Sequence, residues 1–403
     1  MHIHLLKSID ELSPYADAWD RLAAESPFRS WTWLSHWWQS YGSSGDCPNF
    51  SGTMPEAWSA RMGLSPFRKS AAELAVFTVF DESDALVAIA PWYSNHSAAG
   101  GRVLRMLGAG EACSDYLSLL IQPGAEEAAI ETLAGFLLAP PAEHPYDELH
   151  WDLLFLDGVD FEDYAVNRLA GQMSGHGCKV HRRQGLNCWR LDLPASWEDY
   201  LKTLSRSYRR QIRRLEDEYF RTGRAVLHTI ERIDDLSRAI DLLVDMHQRR
   251  RQSLDQAGSF ASPRFESFIR GVLPELMRQG RLQFHWLELD GRTAALEYHL
   301  AGGGVLYAYQ AGVDPDLMEF QPGKLLNLAV IRRAIEQGYR AFDFLRGDEP
   351  YKAHFRAAPR PSLELRIVPN RPTARLRHNI WLAGSGVKKW VKKGMGKQKV
   401  QMP

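Results

Sequence analysis

Cysteine is scarce: four residues in 403, Cys47, Cys113, Cys178 and Cys188, with no C-x-x-C pair among them. That excludes a disulfide framework and a cysteine-based zinc site. Fourteen histidines are scattered without metal-ligand spacing, so no metal is expected. No run of about 18 apolar residues occurs, which argues against a membrane-spanning helix. The opening MHIHLLKSIDEL lacks a basic segment followed by an apolar one, so no secretory signal is read and a cytoplasmic setting is expected. Nucleotide and hydrolase signatures are missing as well. There is no G-x-G-x-x-G after the first strand, no P-loop, no H-E-x-x-H and no G-x-S-x-G. Net charge is also absent, with 49 Lys+Arg against 49 Asp+Glu. This neutrality is a cancellation: residues 1–180 carry about −14, residues 181–370 about +5 and residues 371–403 about +9.

What remains is a chain 45% hydrophobic and 24% charged, the profile of a globular protein of one large or two ordinary domains. His2 to Leu6 reads as a strand and Ser13 to Ala24 as a helix burying Trp19, Leu22 and Ala23. In SPFRSWTWLSHWWQSYG, residues 26–42, Trp33, Leu34, Trp37, Trp38 and Tyr41 recur at 3- and 4-residue spacing, one aromatic face of a helix. Such a face suits a core; the wall of an acceptor cleft is the alternative. Residues 47–70 read as a long loop. Residues 73–95 alternate as two strands around an acidic turn at Asp81 to Asp84, and 115–122 as a further strand. A helix over Glu126 to Leu138 and a strand at 150–158 follow. The second half repeats this order. Residues 281–313 read as three strands joined by the Asp290-Gly291 turn and a Gly-rich turn, Pro322 opens a helix to Gln337, and 341–347 and SLELRIV are strands. A duplicated α/β unit is the simplest account, with boundaries at 1–180 and 181–366, an all-helical stretch at 196–279 and a basic tail at 367–403. The tail holds Trp381 and Trp390 among its cations, a composition suited to an anionic membrane surface or to a solvated tail.

Two segments carry candidate chemistry. Arg206, Arg209, Arg210, Arg213 and Arg214 fall at i, i+3, i+4, i+7 and i+8, with no acid between Leu201 and Leu215. Five cations on one stripe repel unless they meet an anion, either a ligand's phosphate or carboxylate or acids elsewhere in the fold. The second segment is 297–356. Gln321, Pro322 and Gly323 stand where a helix begins, so backbone N–H groups and Lys324 could hold a phosphate. Asp343, between Phe342 and Phe344, and Glu297, in AALEYHL, are unexpected carboxylates in apolar strands. Tyr351, Lys352 and His354 follow. Asp343 or Glu297 could act as general base and Tyr351 or Lys352 as acid; the structural alternative is ion pairs with arginines such as Arg292 or Arg346.

The order L-x-Y-H-L, VLYAYQAGVD, QPGKLL, FDFLRG and YKAHF resembles the C-terminal half of the CelD/BcsL-type proteins. These form a branch of the GNAT acyltransferases associated with bacterial exopolysaccharide and cellulose biosynthesis. The arginine helix and SPFRSWTWLSHWW share the resemblance, which spans most of residues 25–356. The same order resembles the FemAB/FemX aminoacyl transferases, which have two GNAT-like units and a helical insertion. The resemblance implies an α/β (α+β) fold of two tandem GNAT-like units with mixed sheets, and transfer of an acyl group from a thioester such as acyl-CoA to an amine or hydroxyl, for instance on a polysaccharide precursor. It places Gln321, Gly323 and Lys324 at the donor phosphates, and Arg206, Arg209, Arg210 and Arg213 at an anionic acceptor or the donor's 3′-phosphate. Gln321-Pro322-Gly323-Lys324 departs from the GNAT loop pattern Q/R-x-x-G-x-G/A. A tRNA-borne donor, or a non-catalytic scaffold, are the alternatives.

Overall fold

The computed structural model describes residues 1–42, 72–97, 100–140 and 150–383. The loop expected at 47–70 lies outside them, as does Trp390. Fifteen strands occur among the described residues: β1 (His2–Leu6), β2 (Glu73–Leu74), β3 (Val76–Phe80), β4 (Leu86–Ala90), β5 (Trp92–Ser97), β6 (Gly101–Met106), β7 (Leu120–Ile121), β8 (Leu153–Asp160), β9 (Lys179–Asp192), β10 (Ala225–Thr229), β11 (Leu282–Leu289), β12 (Arg292–Gly302), β13 (Val305–Val313), β14 (Ala341–Arg346) and β15 (Ala358–Val368). They form a four-stranded sheet, β1-β3-β4-β7, and an eleven-stranded one, β10-β11-β12-β13-β14-β9-β15-β8-β6-β5-β2. Parallel pairs β13–β14 and β6–β8 make the large sheet mixed, as expected of the fold class.

The sheets of the two halves are fused. The fourteen-residue β9 runs beside both β14 and β15, and β15 passes back to pair with β8 of the first half. No periodicity announced β9, because its residues KVHRRQGLNCWRLD are mostly polar and only two of them are buried. The two strands expected over 73–95 are four, broken where Ala75 and Pro91 interrupt pairing. The strand expected at 115–122 shrinks to β7, since Tyr116 takes a left-handed φ of 60° that a strand cannot hold. The helix expected over Ser13 to Ala24 starts earlier, at Ile9 behind a Ser8–Glu11 capping box, and passes through a short turn to Ala16–Leu22. The all-helical stretch contains β10, which pairs with β11. Asp290 and Gly291 both take positive φ, as do Gly303 and Gly304, so the two hairpin turns are those expected.

The helix Trp31–Tyr41 packs its aromatic face against the helix Pro263–Arg278, with Trp33 edge-on to Phe268 at 4.8 Å and to Tyr309 at 5.2 Å. Most of that face is core, at the seam between the halves, while Trp38 is half-buried and lines a surface cavity with Lys7, Glu73 and Arg102. Gly302 allows the turn at Glu25 to sit against β12, where an added Cβ would come within 2.1 Å of the Glu25 carbonyl. The start of the basic tail also folds back. Helix 372–383 is held by Arg371 on the Trp151 carbonyl, Arg375 on the Gly177 carbonyl at 3.1 Å and Arg377 on Asp152 at 2.8 Å. Trp381 lies under the Arg366 guanidinium at 4.0 Å, so these members of the tail are structural.

Candidate active site

Alternation along β12 and β14 sends the two unexpected carboxylates to opposite faces of the large sheet. Leu296, Tyr298, Leu300 and Leu345 pack into one core, under the helices Ile233–Gln252 and Pro263–Arg278. Ala295, Ala301, Phe342 and Phe344 pack into a second core, under the helix Pro322–Glu336. Asp343 shares the first face and Glu297 the second. One reaction centre cannot use both directly.

On the second face, Glu297 is 6% exposed and its Oε2 has no hydrogen-bond partner among the described residues; His299 Nε2 stands 3.6 Å from it. Burial pushes its carboxyl up to about 8. His299 is fully buried and burial drives its imidazole well below the usual range, so the ring is neutral and gives the carboxylate no charge. Tyr351 stands on the short helix Tyr351–His354 with its ring on Phe344 at 5.9 Å. Burial raises its phenol, and the charges of Glu297 and Glu349 raise it further, so it stays protonated at neutral pH beside the carboxyl.

The start of the helix Pro322–Glu336 supplies fewer free donors than a phosphate cradle would. Gln321 takes a left-handed φ of 53°, and its carbonyl accepts the N–H groups of both Lys324, at 2.9 Å, and Leu325, at 3.1 Å. Pro322 has no N–H, which leaves the Gly323 N–H uncommitted. The Lys324 ammonium lies 4.8 Å above the Tyr208 ring and burial lowers its pKa. Tyr208 belongs to the arginine helix, Arg206–Leu215, and in turn meets His354 at 5.9 Å. The structure therefore brings the arginine helix to Lys324. Ser205 caps that helix, Ile212 and Leu215 dock it, and the arginines face outward. Arg213 pairs with Glu198 at 2.9 Å and Arg214 with Glu218 at 3.6 Å. Arg206, Arg209 and Arg210 have no acidic partner among the described residues.

On the first face, Asp343 itself is fully engaged. Asp343 is 1% exposed and accepts from the Tyr116 hydroxyl at 2.5 Å and the Leu345 N–H at 2.8 Å. Burial pushes it up to about 6 against the pull of those two bonds. Leu345 takes φ 55°, where β14 bulges against β9 between Asp343 and Arg346. The ion pairs expected for these acids do not form: Arg346 bonds Asp115 at 2.7 Å and Arg292 bonds Asp314 at 3.4 Å. Lys352 also departs from the expected role. It is 3% exposed, and its ammonium donates to the carbonyls of Leu345, Arg346 and Gly347 at 3.0–3.2 Å and meets Glu349 at 2.9 Å. With all its protons committed it tethers the loop after β14 and has none to give a leaving group. The sequence reading missed Tyr116 and Asp115, whose signal was two polar residues at the start of an apolar run, and His299, which stood in plain view in the L-x-Y-H-L motif.

No three acidic, cysteine or histidine side chains come together as a metal site among the described residues, and no helix among them is long and apolar enough to cross a membrane. Residues 206–353 match the family described as acetyltransferase (GNAT) domain. FemX aligns over 93% of this chain and 99% of its own with a TM-score of 0.57 at 10% identity. A conserved protein of unknown function from Bacteroides thetaiotaomicron aligns over 91% and 100% with a TM-score of 0.52 at 11% identity. A tandem GNAT protein from the clavulanic acid biosynthesis pathway covers 92% and 99% at a TM-score of 0.42 and 15% identity. No curated protein sequence matches the chain. The chain thus shares the fold of FemX over most of its length, and its segment 206–353 matches the acetyltransferase (GNAT) domain family.

Proposed function

We propose that acyl transfer runs on the face of Glu297, with an acyl thioester, acyl-CoA in the first instance, as donor and an amine or hydroxyl as acceptor. The observation that carries this is a buried carboxyl without a hydrogen-bond partner, whose charge reaches the protonated phenol of Tyr351, on the sheet face covered by the helix that bears Lys324; Lys324 and, on the neighbouring arginine helix, Arg206, Arg209 and Arg210 have no acidic partner among the described residues. Glu297, ionised, takes the proton from the acceptor N–H or O–H. The freed pair attacks the thioester carbonyl, the C–S bond breaks, and the thiolate takes the Tyr351 proton. A base with a pKa near 8 and an acid above 10 suit these roles at mildly alkaline pH. Lys324, the Gly323 N–H and the arginine stripe would hold the donor's phosphates. The resemblance to CelD/BcsL-type proteins supports an acceptor from exopolysaccharide or cell-envelope synthesis, made at the cytoplasmic face of the membrane.

An aminoacyl-tRNA donor is the second reading, favoured by the nearly filled N–H positions at Gln321–Lys324. Calorimetric titration with acetyl-CoA and with charged tRNA separates them. Saturable acetyl-CoA binding, weakened when Arg206, Arg209 and Arg210 are replaced by Gln, supports the first. Binding of tRNA alone, falling steeply with salt, supports the second. Binding of neither overturns both.

A further inference from the structure

Arg29 is a different kind of arginine from those on the exposed helix. It ends the short turn Pro27–Arg29, whose backbone is fixed by the Trp19 indole N–H donating to the Arg29 carbonyl at 2.9 Å. Its guanidinium is largely withdrawn from water, its Nε is buried without a partner, and no ion pair or side-chain hydrogen bond reaches it among the described residues. Burial lowers its pKa accordingly, and the charges of Asp163 and Tyr307 act against this. An arginine desolvated and left unpaired is costly in general. It is a group waiting for an anion.

Its surroundings converge on the first face of the large sheet, opposite Glu297. Tyr307, on β13, has a phenol that senses four charges at once: Asp343, Arg190, Arg29 and Arg360. The register explains the convergence. Tyr307 lies beside Asp343, Asp343 opposite Arg190, and Arg190 opposite Ala358, two residues before Arg360 on the same side of β15. Arg360 reaches over the Tyr116 ring at 6.0 Å, and that ring is 6.1 Å from Tyr307. Among the described residues Arg190 binds the exposed Asp192, at 3.1 Å through Nε, and Arg360 binds Asp160 at 3.0 Å through one terminal nitrogen, so both keep donors free there. The Tyr307 hydroxyl makes no hydrogen bond among the described residues. The acids nearby are engaged: Asp163 caps the helix Tyr164–Gly175, and Asp343 accepts from Tyr116 and Leu345.

We propose that Arg29, Arg190, Arg360 and the Tyr307 hydroxyl form an oxyanion-binding subsite at the seam between the two halves, taking a carboxylate or phosphate group of a ligand. Arg29 supplies the fork, Tyr307 a single O–H donor, and Arg190 and Arg360 their remaining N–H groups. This subsite is on the other face of the sheet from Glu297, so its test does not depend on where acyl transfer occurs.

The test titrates the full chain with inorganic phosphate and with acetate, against chloride at equal ionic strength, and reads the melting temperature. One of the two raises it in the wild type by mass action. A rise with phosphate alone assigns a phosphate-bearing ligand, and a rise with acetate a carboxylate. Arg29→Met, which removes an unpaired desolvated charge, raises the basal melting temperature by about 1–3 °C and abolishes the anion-dependent rise. Tyr307→Phe weakens the apparent anion affinity severalfold, and Arg29→Lys, which keeps the charge but loses the fork, weakens it at least as much. The inference is overturned if neither anion exceeds chloride, if the rise survives in Arg29→Met, if Arg210→Gln removes it instead, or if Arg29→Met lowers the basal melting temperature.

Discussion

The two faces of the large sheet differ in how their polar groups are spent. On the face of Asp343, acids, hydroxyls and cations are mostly paired across the two halves: Asp343 with Tyr116, Asp115 with Arg346, and Tyr309 with the Ala112 carbonyl. On the face of Glu297, among the described residues, the carboxyl has no hydrogen bond and the cations along Arg206–Arg210 and at Lys324 have no acid. A buried polar group that is satisfied holds a fold together, whereas one left without a partner costs free energy unless a ligand completes it. Burial alone would have ranked the two carboxylates together. What they touch separates them, and Arg29, the exception on the paired face, becomes informative for the same reason.

Removing each carboxyl in turn tests this contrast most severely. Glu297→Gln should cut turnover by at least ~10²-fold, the lower range for a lost general base, while Asp343→Asn stays within about tenfold of wild type. The pH–rate profile sharpens it. With Glu297 as base the rate rises with pH and levels off above about 8, whereas a limb near 6 would move the base to Asp343 and invert the comparison. The next effect in size concerns Lys352. Lys352→Met strands three buried carbonyls and should cost about 2–4 kcal/mol in denaturant unfolding, with turnover per folded molecule retained. A folded, stable and inactive variant would restore Lys352 as an acid.

Smaller effects follow on the stability side. Glu297 titrates above its ordinary value of 4.5 in the folded chain, so the fold favours its neutral form. That contribution is whole below about 4.5 and is lost as pH rises through about 8. Glu297→Gln stays neutral and should melt higher than wild type at pH 9, with little difference at pH 5; an equal gain at both would point to altered packing instead. Asp343→Asn replaces one of two accepting oxygens by a donor facing Tyr116 or Leu345, and should cost about 1–2 kcal/mol. Single replacements of Arg206, Arg209 or Arg210 by Gln are expected to change donor affinity a fewfold, less so as salt rises, and stability hardly at all.

Much of this was legible in the residues. The hairpins at Asp290-Gly291 and Gly303-Gly304, the helix opened by Pro322 and closed at Gly338, and the helix Glu126–Leu138 follow from local turn and capping chemistry that needs no partner. The arginine stripe follows from spacing alone. Where the reading failed, distant chain decided. β9 is polar because much of its length lies open to solvent on a sheet whose other strands were too far along the chain to suggest it. Lys352 looks like chemistry in sequence because nothing local shows that a bulge at Leu345 turns three carbonyls toward it.

The sequence by itself determined the local elements, the mixed α/β class and the identity of the two strand carboxylates, because periodicity, turn residues and a charge in an apolar run are properties of neighbours. Only the tertiary structure decided that Glu297 and Asp343 face apart, that Tyr116 donates a hydrogen bond to one of them and that Arg29 has no partner among the described residues. Those depend on which strands pair and in what register, and a shift of one residue in β12 or β14 would have exchanged the faces.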